Sequence, residues 1–480
     1  MHGAFLRLAI VGSACLAAVS ACGPRRASPD TTVRAPADAG RIALYLEPIP
    51  READGLSSEI AEVSAVSEDG TMWPLAVHLA TLEGAGDRRQ RLLAGGAVPA
   101  GRYRGVTIRA GSASQAGPRG RSALALPEAS IAVESAFTVE RGAVVLLSAS
   151  LRVPRPTGGD VRFDPQFVIG APPPGALAPA ATAVAALPEV STVALFHKST
   201  GEVVQLLGTS DRPSGVAYDA LRGRLYAACA GSGVVEAFDV VRGIREQSVP
   251  LQAGGRPSAL ALSQDGTTLV VAHLAAGMVT ILDAPTLTER HRVRVGREPV
   301  FVAFEPDGRR VFVVERGEFA VSVLDPERGV IVGTIAAESG PAALAFDRTG
   351  SRVVIVHRDS PNLLVADTRT LAVERRVYVG PGSAAVAVDP RSDRVYLARR
   401  GIRGIEVFDP GSWLPIATIA TGGDVSFLRV DRDEGTALAA VPSDGLVRIL
   451  HWSSGRVAAQ AELGAAPTWV DVAGAERAAR

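Results

Sequence analysis

The chain is almost without lysine: Lys198 is the single lysine, and nearly all the positive charge is arginine. Schiff-base chemistry and a P-loop therefore have almost no candidate residue. Excess charge of one sign is also missing. The 50 Asp+Glu offset the 50 Lys+Arg, so no bulk electrostatic pull toward nucleic acid or anionic lipid exists, and no nucleic-acid partner is expected. Cysteine is scarce. Cys15, Cys22 and Cys229 form no C-x-x-C pair, which rules out a zinc, thiol-redox or haem-attachment site of that spacing and any reliance on disulfides. The apolar run at 8–21 has 14 residues, too few to span a bilayer as a helix. A G-x-S-x-G elbow and a dinucleotide fingerprint leading into a helix are absent. The turns Asp265-Gly266 and Asp307-Gly308 lack the clustered Asp/Asn of a calcium loop and read as hairpin turns. No metal and no cofactor is expected.

What is present is glycine and proline, 50 and 32 in 480 residues, a content that suits many short strands joined by turns. The N-terminus has its own pattern. A short basic segment ending at Arg7 precedes the apolar run, which closes on Val19-Ser20-Ala21-Cys22. That is the shape of a signal peptide over residues 1–21, and its end resembles the lipobox of bacterial lipoproteins, which implies diacylglycerol on the Cys22 thiol. Gly23 stands where an Asp would retain such a protein at the inner membrane, so the outer membrane is the expected location. Residues 22–40, rich in Pro, Ala and Arg, read as a flexible tether behind the acylated Cys22.

Residues 41–170 alternate apolar runs with turn signals, among them IALYL at 42–46, the turn at Glu68-Asp69-Gly70, and VVLL at 144–147. The pattern predicts a small β-sandwich. The Pro/Ala-rich stretch 171–181 is a linker. From 182 to the end at 480 the chain repeats. Pro213, Pro257, Pro299, Pro341, Ser383, Val425 and Pro467 occupy one position of the repeat, spaced by 44 residues once and by 42 thereafter. Each unit predicts four strands, the signature of a propeller blade, and radial closure removes the exposed sheet edges. Asp239, Asp283, Asp325, Asp367 and Asp409 mark the end of the third strand in five units. The last unit has only its innermost strand. The other three lie at the start, because TAVAALP at 182–188 matches TALAAVP at 436–442 at an offset of 254, the same offset that separates 213 from 467. The expectation is an all-β chain: a seven-bladed β-propeller of four-stranded blades, closed by N- and C-terminal strands and preceded by the β-sandwich.

In its G-x-x-P approach to the first strand, its Asp-Gly turns and its second strands LYAAC (225–229), LVVAH (269–273) and VYLAR (395–399), the repeat resembles the YVTN family of seven-bladed propellers over residues 182–473. The usual Asn at the end of that second strand is replaced in every blade. Because members of that family are mostly exported or surface proteins, the resemblance implies fold and compartment more than activity.

Two rings of positions are expected at the mouth of the propeller. The second-strand ends are Cys229, His273, Glu315, His357, Arg399, Val441 and Leu187; the residues before the repeat anchor are Arg212, Arg256, Glu298, Gly340, Gly382, Asp424 and Ala466. Of the second ring, Arg212, Arg256, Glu298 and Asp424 are candidates to hold a polar or anionic ligand. The plainer reading of the first ring is hydrogen bonding to adjacent loops. Catalysis would draw on the same ring, with His273 or His357 as general base, Glu315 orienting it, and Arg399 with Arg256 stabilising negative charge. Binding comes first. The sequence predicts an outer-membrane lipoprotein, held by lipid on Cys22, whose monomeric propeller binds an envelope protein, a glycan or a small ligand. A lactonase- or lyase-like enzyme at the mouth is the second reading.

Overall fold

A computed structural model of the chain describes residues 39–84, 88–117, 120–127, 129–152, 165–172, 178–251 and 256–473, all within one compact unit. The expected signal segment at 1–21, Cys22 and most of the expected tether, like residues 173–177 of the expected linker, lie outside the described residues.

Seven four-stranded antiparallel sheets form the propeller. We number the blades from the chain order of their innermost strands: blade 1 starts at Pro213–Asp219, blade 2 at Pro257–Leu262, blade 3 at Pro299–Phe304, blade 4 at Pro341–Phe346, blade 5 at Ser383–Val388, blade 6 at Phe427–Asp431 and blade 7 at Trp469–Val472. In blade 7 the C-terminal Trp469–Val472 pairs with Thr182–Leu187, with Ala183 opposite Val472 and Ala186 opposite Trp469. The strands Thr192–His197 and Val203–Gly208 complete it. Thus the closure expected from the 254-residue offset is the one observed.

Burial follows the radial position of each strand. Second strands such as Thr268–His273 and Thr436–Val441 are buried on both faces, because each is covered by the neighbouring blades on either side. They read as continuous apolar runs for that reason. Outer strands such as Ile244–Pro250 and Pro415–Ala420 are largely exposed. The repeated Asp at the end of the third strand caps the next turn. Asp239 Oδ1 accepts the Arg242 N–H at 2.9 Å, Asp283 Oδ1 that of Thr286 at 3.1 Å, and Asp409 Oδ1 that of Ser412 at 2.8 Å. A carboxylate here fixes the turn geometry locally.

The repeat anchor has a backbone explanation. Proline is tolerated as the first residue of a strand, where its missing N–H leaves no gap in the ladder. One inner-strand residue is then left unpaired in blades 1 to 5, as at Pro213/Gly215 and Pro299/Phe301. This bulge turns the strand. At the bulge, Ser214 Oγ donates to Pro257 O at 2.7 Å and Ser258 Oγ to Pro299 O at 2.6 Å, so each serine ties its blade to the next.

The expected sandwich takes the form of one continuous sheet that curls around its own core. Its path runs from Gln166–Gly170 through Val144–Arg152, Ala39–Leu46, Arg91–Pro99, Met72–Val77 and Leu56–Ser67 to the long strand Gly101–Gly117. Leu44, Ala65, Leu93, Ile108 and Leu147 meet in its centre. The curled sheet docks on blades 6 and 7. Tyr45 Oη donates to Glu462 O at 2.8 Å, Arg91 Nε lies 2.6 Å from Glu462 Oε1, and the Gln90 side chain both donates to and accepts from the Val203 backbone, at 3.2 and 2.8 Å. Tyr45 and Leu92 share an apolar cluster with Phe196, Val203, Ala461 and Leu463.

Candidate functional site

The five polar second-strand ends do not converge on the mouth. In three of them the partner is seven residues later, on the third strand of the same blade. Cys229 Sγ lies 3.6 Å from Glu236 Oε2, His273 Nε2 lies 2.8 Å from Thr280 Oγ1, and Arg399 makes a two-pronged pair with Glu406 at 2.5 and 2.8 Å. Burial, reinforced by the Glu236 carboxylate, pushes the Cys229 thiol well above its ordinary range, which leaves it protonated and inert. Glu315 is 2% exposed, and its Oε1 has no hydrogen-bond partner.

His357 is bound at both nitrogens. Its Nδ1 faces the Asn362 carbonyl at 2.8 Å and so carries the proton, while Nε2 accepts the Glu338 N–H at 3.1 Å. Burial lowers its affinity for a second proton, against weaker opposing effects of the Asn362 carbonyl and the Glu338 carboxylate. The ring nitrogen that a general base would use is thereby committed to the backbone. Among the described residues, no group of three or more His, Cys, Asp or Glu is placed to hold a metal ion.

The ring before the anchor is set by backbone conformation. Arg212 (φ 56°), Glu298 (φ 52°), Gly340 (φ 68°) and Gly382 (φ 89°) are left-handed, and their carbonyls accept from the N–H that follows the second strand: Ala230, Arg316, Arg358 and Arg400 in turn. Arg256 supplies the same carbonyl to Leu274. The side chains of Arg212, Arg256 and Glu298 are exposed at the rim. Of the four candidates, Asp424 lines a cavity.

That cavity is a vestibule of about 460 Å³ at the end of the channel where the inner strands begin. Its floor is aromatic. Phe301 from blade 3 meets Phe427 and Trp469 from blades 6 and 7 across the channel, with ring centroids 6.2 and 5.6 Å away, while Phe427 and Trp469 are 4.3 Å apart. On one side of the wall stand Arg316, Arg358 and Arg400, from the adjacent blades 3, 4 and 5. None of the three is in an ion pair among the described residues, and the enclosed Arg316 Nε has no hydrogen-bond partner. Burial first, then repulsion from Arg316 and Arg400, lowers the proton affinity of Arg358 against an opposing effect of Asp359, so Arg358 feels the guanidinium groups on both neighbouring blades. Asp424, at the start of the neighbouring blade 6, stands next to the Arg400 end of this wall, its Oδ2 accepting the Gly401 N–H at 2.8 Å. Ser426, whose Oγ is enclosed and unpartnered, completes the polar lining.

Sequence reasoning missed these arginines by one residue. The position after each second strand reads Ala230, Leu274, Arg316, Arg358, Arg400, Pro442 and Pro188, and three arginines in three consecutive repeats are a signal available without coordinates. A strand reverses its side-chain direction at every residue. The strand-end residue points between blades and its successor points to the mouth. The aromatic floor sits two residues after the anchor, where the other blades carry Gly215, Ala259, Ala343 and Ala385.

No protein family description matches the chain, and no curated protein matches it. Solved structures do: 1645 chains match its shape, so the scaffold is widely shared and does not by itself select an activity. One is a chain of the hydrazine synthase of Kuenenia stuttgartiensis, 17% identical, with a TM-score of 0.52, the match covering 57% of this chain and 94% of that one. At that identity the likeness concerns shape alone, and what it establishes together with the seven sheets is a seven-bladed β-propeller.

Proposed function

We propose that the protein is an outer-membrane lipoprotein, acylated at Cys22 and tethered by residues 22–40, whose monomeric propeller is a binding module in the cell envelope. The lipobox-like end of the apolar run and Gly23 support the anchor, and the resemblance to YVTN propellers supports the compartment. One observation carries the binding reading: an open vestibule, floored by aromatics, into which three adjacent blades send unpaired guanidinium groups. Cavities of this size with few, convergent polar groups are the usual form of a ligand site. Its occupant is a glycan or small ligand, or the exposed end of an envelope protein.

Anchoring and binding are tested together by cross-linking the native protein in its own envelope, purifying it and identifying attached molecules by mass spectrometry. The expected result is an acylated N-terminal Cys22, recovery in the outer-membrane fraction and a stoichiometric partner that is lost on Arg358→Glu. A soluble Cys22→Ala chain serves as control. Full release of the wild-type protein into the soluble fraction overturns the anchor, and a partner list identical for wild type and Arg358→Glu overturns the vestibule as binding site.

A further inference from the structure

We propose that the vestibule recognises a phosphorylated sugar, with the phosphate on the arginine wall and the sugar ring over the aromatic floor; this rests on the reading of the vestibule as the binding site. Charge selects the class. The lining holds three guanidinium groups and one carboxylate, Asp424, already bound to the Gly401 N–H, an excess of two positive charges that Asp359, behind Arg358, offsets only in part. A phosphomonoester brings roughly −1.5 to −2 near neutral pH. Guanidinium forks match phosphate oxygens two at a time, which a lysine cannot do, and in the vestibule all the basic groups are arginine. The repulsion that Arg316 and Arg400 exert on Arg358 is offset in part by Asp359, and an anion that touches more than one of the three would relieve it further.

The floor selects the rest of the ligand. Phe301 and Trp469 are only partly buried, their rings tilted by 30° at 5.6 Å, and they present a broad apolar surface for the carbon face of a sugar. The enclosed Ser426 hydroxyl and the Arg316 Nε, both without partners, are a further donor each for ring hydroxyls or phosphate. A bare inorganic ion would leave this floor uncovered. A vestibule of about 460 Å³ that opens at the mouth has room for one phosphosugar, free or at the end of a chain.

In the test, the full chain in detergent is titrated with glucose 1-phosphate, glucose and inorganic phosphate, with Trp469 fluorescence and heat of binding as readouts. Glucose 1-phosphate is expected to bind at least tenfold more tightly than either half, and to weaken as salt rises. Arg358→Gln and the exposed Arg400→Gln should each weaken it about tenfold, and Arg309→Gln, at a hairpin turn on the opposite face, should not. Competition by lipopolysaccharide that is lost on dephosphorylation assigns the sugar to an envelope glycolipid, and competition by free sugar phosphates alone assigns a soluble ligand; each supports the proposal. Inorganic phosphate binding as tightly as glucose 1-phosphate, or unchanged affinity in both arginine variants, overturns it. If glucose 1-phosphate fails while a cross-linked partner sensitive to Arg358→Glu is recovered, the phosphosugar falls and the binding module stands.

Discussion

Replacing Lys198 by methionine should be among the most damaging single changes in the propeller. The only lysine of the chain follows the third strand of blade 7, 3% exposed, with Nζ 2.8 Å from Oδ2 of Asp431, which ends the inner strand of blade 6 and is fully buried. The pair bridges two blades across the ring closure. Asp431 Oδ1 is also fixed, accepting the N–H groups of Asp433 and Glu434 at 3.0 and 3.3 Å. Methionine fills a similar volume but leaves a carboxylate in a dry site. Removing one partner of such a pair costs about 3–5 kcal/mol, most of it the stranded charge. For a domain of this size that is on the order of 10 °C in Tm. Urea unfolding followed by tryptophan fluorescence measures it, with Lys198→Met/Asp431→Leu as companion. The double variant should recover most of the loss, because two apolar side chains replace the pair without an orphan charge. The reasoning is refuted if Lys198→Met lies within about 0.5 kcal/mol of wild type, the range expected of a surface change, or if the double variant is no better than the single.

Further outcomes follow from other parts of the ring. A chain ending at Ala465 lacks Trp469–Val472 and exposes the inner edge of Thr182–Leu187, so it should lose cooperative unfolding; a wild-type melting temperature would refute the closure. His357 is held neutral by burial, its proton affinity in the fold below the ordinary value near 6.5. The unfolded chain therefore binds the proton more readily, and this contribution to stability is present above pH 6.5 and declines as pH falls below it; denaturation midpoints between pH 7.5 and 5 should show a slope that His357→Gln flattens. Gly340 has φ +68°, and a Cβ there would lie 2.2 Å from Asp359 Oδ2 and 3.0 Å from its backbone N. Gly340→Ala should thus cost about 1–2 kcal/mol or more in chemical denaturation, and no loss would show that the turn relaxes.

The fold was legible in the sequence wherever structure repeats. A 42-residue period and a shared offset of 254 residues identify the number of blades and the closing partners, because every blade solves the same packing problem with the same pattern. Side-chain direction was harder. The ring from Cys229 to Arg399 was correctly placed at strand ends, but whether an end residue faces the next blade or the channel depends on a one-residue phase, and the bulge after each anchor shifts that phase on the inner strand. The aromatic floor was hidden because Phe301 of blade 3 meets Phe427 and Trp469 of blades 6 and 7 only across the closed ring. In the N-terminal domain the alternation gave strands, while the closure into one curled sheet rests on distant pairings such as Met72–Val77 against Arg91–Pro99. Docking at Glu462 had no signal at all, being one more acidic residue on an outer strand.

The first strand of the curled sheet has a mechanical consequence. Ala39–Leu46 pairs along its length with Arg91–Pro99 on one side and with Val144–Ala149 on the other, the latter in parallel. A pull on the chain from its N-terminal side is directed along this strand. Hydrogen bonds on both edges then bear the load in shear together, where a strand peeled from one end would release them singly. Force applied to a tether would be absorbed in the small domain and at its Glu462 contact, while the ring and its vestibule keep their shape. Single-molecule extension from the N-terminus should show the first rupture in the curled sheet, and rupture of the propeller first would disprove this.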